Sequence, residues 1–163
     1  MRKNSARPVL GKFAALSLAT AAVGAFAVGS ADADTSDRGR VEVVELQLQG
    51  LQYEAVDLGA TGPTLGDMSV YSGTAVENGR EVGHGAGTSH VVRVEGGKTM
   101  SQVVITIEIG RGTLTMQALR TGEGSSLDMA ITGGTGAFKD ARGTARYSDI
   151  ATPQEKVRAE ILH

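Results

Sequence analysis

The 163-residue chain has room for one ordinary domain and not for a second beside it. It has no cysteine and no tryptophan, which excludes a disulfide framework and a thiolate metal site. A formal net charge of -2, without any cluster of Lys and Arg interleaved with aromatics, excludes nucleic acid as a partner.

The N-terminus carries Arg2, Lys3, Arg7 and Lys12, then an apolar run over residues 13–28, then Ala31-Asp32-Ala33. That is the basic, apolar, small-x-small order of a secretory signal peptide. A retained anchor is the alternative reading, but the run is shorter than the roughly 20 residues a spanning helix needs. We therefore expect residues 1–33 to be a signal peptide, residues 34–163 to form a single secreted domain, and the mature chain not to insert into a membrane. The remainder holds 12 basic against 17 acidic residues. Such a chain should avoid anionic surfaces, and its stability must come from core packing and backbone pairing.

Residues 41–49 end in strict alternation, with Val44, Leu46 and Leu48 on one side and Glu45, Gln47 and Gln49 on the other, which predicts a half-buried strand. Residues 53–58 are ambiguous, and the Gly- and Thr-rich stretch at 59–66 reads as loop. From Asp67 a second strand places Met68, Val70 and Val76 on one parity. Asn78-Gly79 then predicts a tight hairpin, because both residues tolerate the positive φ of a type I′ turn. The returning strand, 81–95, contains Gly83, Gly85 and Gly87 and should be bent or bulged. After Gly96-Gly97, residues 99–109 set Val103, Ile105, Ile107 and Ile109 on one parity and Glu108 on the other.

Further strands are expected at 113–119, 127–131 and 144–150. In the tail, Val157, Ala159 and Ile161 alternate with charged residues. About eight strands joined by hairpin-length connections predict an all-β fold, an antiparallel up-and-down barrel that removes exposed edges. A two-sheet sandwich competes with it. Parity alone does not say which face of 99–109 points inward; an outward Val/Ile face would be an oligomer interface.

The densest signal is the glycine stretch at 131–143. A dinucleotide fingerprint needs a third glycine and a following helix, and a phosphate loop needs Gly-Lys-Ser/Thr; neither is present. The stretch instead predicts a wide turn, with Phe138 folded back as a plug over one end of the core.

Gly133-Gly134-Thr135-Gly136-Ala137-Phe138-Lys139-Asp140-Ala141-Arg142-Gly143 resembles the signature of the allene oxide cyclase and dirigent-like barrels, whose members carry Gly-Gly-Thr-Gly-x-Phe/Tyr-x-x-Ala-Arg-Gly before a late strand. Gly66-Asp67, Gly79-Arg80-Glu81-Val82-Gly83 and Ile109-Gly110-Arg111-Gly112-Thr113-Leu114 extend the likeness over residues 66–147. The resemblance implies a barrel that holds an apolar or aromatic intermediate and steers its cyclisation, isomerisation or coupling, without a metal or organic cofactor. It also implies a homo-oligomer and, for small bacterial members, export. Asp67 and Arg142 match the carboxylate and arginine types implicated in the dirigent branch, so these two are the expected catalytic pair. This chain lacks the cysteines many bacterial relatives carry and has few aromatics for a phenolic ligand.

A partly buried Asp67 would have a raised pKa suited to holding a reacting oxygen. Its structural alternative is a cap on the preceding turn. Arg142 can hold an oxyanion, or pair with Asp140, Asp128 or Glu108. Tyr71, Glu108, Phe138 and Tyr147 are the expected ligand-binding residues. No metal site is expected, since His84 and His90 lie too far apart along a strand to share an ion. A binding barrel should show a cavity of roughly 300 Å³ or more walled by Asp67 or Arg142. A purely structural or carrier role remains the alternative to catalysis.

Overall fold

The computed structural model describes residues 40–162. The segment expected to be a signal peptide, residues 1–33, lies outside the described residues. Eight strands follow in order: β1 Val41–Val56, β2 Met68–Glu77, β3 Arg80–Glu95, β4 Lys98–Ile109, β5 Gly112–Thr121, β6 Ser126–Gly134, β7 Arg142–Ser148 and β8 Gln154–Leu162. Each pairs antiparallel with the next, and β8 returns to β1 over Val41↔Leu162 to Gln49↔Gln154, closing the barrel. The up-and-down barrel predicted from the strand count is the observed fold.

Period-2 alternation explains most of the interior. Val44, Leu46 and Leu48 of β1, Val103, Ile105, Ile107 and Ile109 of β4, Leu114 and Met116 of β5, and Val157, Ala159 and Ile161 of β8 are all buried. The Val/Ile face of β4 therefore fills the core, and it is not an oligomer interface. In β2 the parity shared by Met68, Val70 and Val76 is the outer one. Ala75 is buried while Val70 stays 38% exposed, and the inward positions of β2 and β3 include the small residues Gly73, Ala75, Gly85 and Gly87.

The β2–β3 hairpin turns on Asn78 (φ 50) and Gly79 (φ 76), the pair of positive-φ residues that a type I′ connection requires. β1 continues through the ambiguous 53–56 after a register shift between Gln49 and Gln52, where Gly50 has φ 61.

The two ends of the barrel differ. One carries the β2–β3, β4–β5 and β6–β7 connections, and Phe138 of the short 3₁₀ turn Gly136–Phe138 plugs it with 0% exposure. Phe138, Val44, Leu46, Ile109, Leu114 and Val157 line a void of only about 10 Å³. Burying such a ring contributes about 1.5–3 kcal/mol. The Arg111 guanidinium lies 4.8 Å from the ring centroid and is ion-paired with Glu42. The signature glycines serve close approach here: a Cβ at Gly112 would collide with the Thr135 carbonyl, and one at Gly136 with the Arg111 carbonyl. Toward the other end, inward positions such as Ser69, Ser89, Ser101 and Arg120 are only half-buried.

Candidate functional site

Asp67 and Arg142, expected to act together, stand at opposite ends of the barrel, because Asp67 immediately precedes β2 and Arg142 opens β7. Asp67 accepts hydrogen bonds from the amides of Thr64 (2.7 Å) and Leu58 (2.9 Å) and from the Thr64 hydroxyl (2.8 Å). These bonds, the Thr64 amide foremost, hold its pKa below the usual carboxylate value, opposite to the rise expected of a buried acid. Its carboxylate ties down the β1–β2 loop. Arg142 is exposed and donates to the Asp140 and Ala141 carbonyls at 3.2 and 3.1 Å. Asp128, one of its expected partners, is ion-paired with Arg146 at 2.8 Å.

Glu108 is exposed on the outer wall, opposite His84 and Thr113 in the flanking strands. Phe138 is consumed in the plug. Tyr71 and Tyr147 do face the interior: Tyr147 is buried in the core and Tyr71 packs against it half-buried.

Around Tyr71 the fold assembles a cluster of polar groups. Glu155 is the one buried charged residue among the described residues, at 6% exposure, and lies opposite Leu48 on the inner face of β8. Its Oε1 accepts the Ala151 amide at 2.7 Å. Burial nevertheless raises its pKa, outweighing that hydrogen bond and the attraction of Arg120. Arg120, at the end of β5, continues the inward parity of Leu114, Met116 and Ala118, and its Nη2 donates to the Gly124 carbonyl at 2.7 Å. Burial, then the Glu155 charge, raises the Tyr71 phenol, while Arg120 acts to lower it. Tyr71, Arg120 and Glu155 thus form one electrostatically coupled group at the end away from Phe138.

Arg120 and Glu155 were not among the residues expected from sequence. Their signal was present: each is a charge on the core parity of its strand, one step beyond an apolar run. A buried carboxyl that keeps its proton can donate to a reacting oxygen, the un-ionised phenol can donate beside it, and the guanidinium can stabilise developing negative charge.

A cavity of about 690 Å³ is an open groove lined by Gln52, Val70, Tyr71, Gly87, Thr88 and Val104, among others, so it reaches Tyr71 but not Arg120 or Glu155. Val70, Thr88 and Val104 are paired in register, as are Ser72, Ala86 and Thr106, and both rows take the parity opposite to buried Ala75, Gly85 and Ile105. Most of the groove is therefore outer wall of β2–β4, with Tyr71 and Gly87 of the inward parity also lining it. Neither Asp67 nor Arg142 lines it, contrary to the expected placement.

The fold is thus a closed antiparallel barrel, plugged at one end and carrying inward polar side chains at the other. The chain belongs to the allene oxide cyclase barrel like domain family, whose model matches residues 47–162. Among solved structures it is similar to a pyocyanin demethylase, with 28% identity, a TM-score of 0.69, and coverage of 74% of this chain and 99% of that one. It shares its fold with the Diels Alderase AbmU from Streptomyces koyangensis (19% identity, TM-score 0.59, 74% of this chain and 62% of that one). The fold is shared too with the pterocarpan synthase dirigent protein PsPTS1 (19% identity, TM-score 0.54, 76% and 96%). No curated protein matches the chain significantly.

Proposed function

We propose that this protein binds an apolar small molecule at the Glu155 end of the barrel and guides its cyclisation or isomerisation. The observation that carries this reading is the convergence of Tyr71, Arg120 and Glu155 on the inner face, with Glu155 and Tyr71 both biased toward their protonated forms. Glu155 is the proton donor and, once deprotonated, the base; Tyr71 and Arg120 hold the oxygen or nitrogen on which charge develops. The apolar wall supplies the rest by holding a flexible substrate near its reactive conformer. Residues 1–33 direct export, so the ligand is met outside the cytoplasm.

The likeness to a pyocyanin demethylase, which spans 99% of that chain, favours a second reading, removal of a methyl group from a planar ligand. One experiment separates the readings. A metabolite extract of the host, and pyocyanin separately, are incubated with wild type and with Glu155→Gln, and products are followed by chromatography and mass spectrometry. Cyclisation or isomerisation changes retention at constant mass, and demethylation loses the mass of one CH₂. A ligand that is bound and returned unchanged identifies a carrier and overturns catalysis, and full turnover by Glu155→Gln overturns the role of Glu155 as proton donor and base.

A further inference from the structure

Three inward glycines of β2 and β3 each lie beneath a large side chain from β1 or β2. A Cβ built at Gly73 would stand 2.7 Å from Leu51 Cδ2, and one at Gly85 would stand 2.9 Å from Leu48 Cδ2. At Gly87 it would stand 2.6 Å from both Cε2 and Cζ of Tyr71 and 2.8 Å from its hydroxyl. Such separations are well inside van der Waals contact, so the Tyr71 ring and its hydroxyl occupy the space a side chain at 87 would take. Tyr71 and Gly87 are directly opposite in the β2–β3 ladder.

The backbone does not ask for glycine at this position. Gly87 is absent from the positive-φ residues, and a glycine inside a strand costs stability relative to residues that pack. What position 87 requires is the absence of a Cβ, and the group that requires it is Tyr71. With Gly87 the ring lies along the wall formed by β2 and β3; with any larger residue it must swing away from that wall.

We propose that Gly87 is a positioning and specificity-determining residue: it seats the Tyr71 ring against the wall, which sets where the phenol stands relative to Glu155 and Arg120 and keeps the polar end wide enough for a broad, planar ligand. The part that concerns the ligand rests on the proposed function above. The seating of Tyr71 does not, and the two are tested separately.

The first readout is the ring itself. In protein carrying ¹³Cζ-tyrosine, assigned by comparison with Tyr71→Phe, the Tyr71 resonance is followed through an alkaline titration, together with the ring-current shift of the Gly87 Hα protons. In wild type the phenol should resist ionisation well beyond the ordinary tyrosine value of about 10. In Gly87→Ala it should ionise at lower pH, because the displaced ring loses its buried seat. Unchanged titration in Gly87→Ala overturns the proposal.

The second readout is binding of two fluorescent probes, 1-aminoanthracene as a broad planar ligand and cis-parinaric acid as a narrow chain. Gly87→Ala should weaken 1-aminoanthracene about 10-fold, the scale set by one misplaced carbon group in a pocket, and leave cis-parinaric acid nearly unchanged. Gly87→Ala/Tyr71→Ala should restore the broad probe. Equal weakening of both probes, or no restoration in the double variant, overturns the specificity role. If wild type binds neither probe, the specificity role falls with the binding reading, and the titration still decides whether Gly87 seats Tyr71.

Discussion

Tyr71 and Glu155 face the interior from strands on either side of β1, and the Glu155 charge is among the influences that raise the Tyr71 phenol. This pairing of acids in a largely apolar barrel is the feature from which the functional account grows. Burial, more than any partner, biases both groups toward their neutral forms.

Glu155 should make stability fall as pH rises. Its folded pKa is raised, so folded and unfolded chains bind the same proton below the ordinary carboxylate value of about 4. Above that value the unfolded chain loses its proton first, and stability declines until the folded group also ionises. Urea denaturation across pH 4 to 8 should show this decline in wild type and its absence in Glu155→Gln, which retains an acceptor for the Ala151 amide. A parallel pH dependence in the two proteins would remove Glu155 as its source.

Asp67 should behave in the opposite sense. Its folded pKa is lowered by the Thr64 and Leu58 amides, so its contribution is present above about pH 4 and is lost as pH falls through the folded value. Asp67→Ala frees the loop at residues 57–67, which should be cleaved faster by a nonspecific protease at pH 7 with ligand affinity unchanged. Loss of affinity without faster cleavage would return Asp67 to the site.

Phe138→Ala removes the plug and should destabilise the barrel by about 3–5 kcal/mol in denaturant unfolding, as large-to-small core changes do. Arg111→Ala removes only the exposed cation above the ring and its ion pair, and should cost no more than about 1 kcal/mol.

Arg142→Ala should change stability by less than about 0.5 kcal/mol, as expected of an exposed side chain whose bonds go to adjacent carbonyls. Turnover and ligand affinity should match wild type, since Arg142 is at the plugged end. A loss of turnover with stability intact would contradict the placement of the site.

The barrel was legible because β1, β4 and β8 obey alternation strictly: Leu46, Ile105 and Val157 announce an inner face, and Asn78-Gly79 announces a hairpin. The plug was legible from Phe138 among its glycines. The inner face of β2 was not. Gly73, Gly85 and Gly87 carry no hydrophobic signal, and the parity shared by Met68, Val70 and Val76 does not reveal that the room left by those glycines is filled by Leu48, Leu51 and Tyr71. The candidate site was only partly legible for a related reason. A motif draws attention to Arg142, whereas Arg120 and Glu155 matter through the parity they share with apolar neighbours, and only the closed register brings them to one end with Tyr71.

The central claim is that the ligand is held beside Arg120 and Glu155, neither of which lines the open groove of β2–β4. Native mass spectrometry of the protein purified from its own host, compared with Arg120→Met and Thr88→Trp, tests it most directly. The account predicts that a small molecule co-purifies with wild type and with Thr88→Trp, which fills the groove, and is lost or strongly reduced in Arg120→Met. Retention by Arg120→Met together with loss in Thr88→Trp would contradict it and move the site to the outer wall of β2–β4.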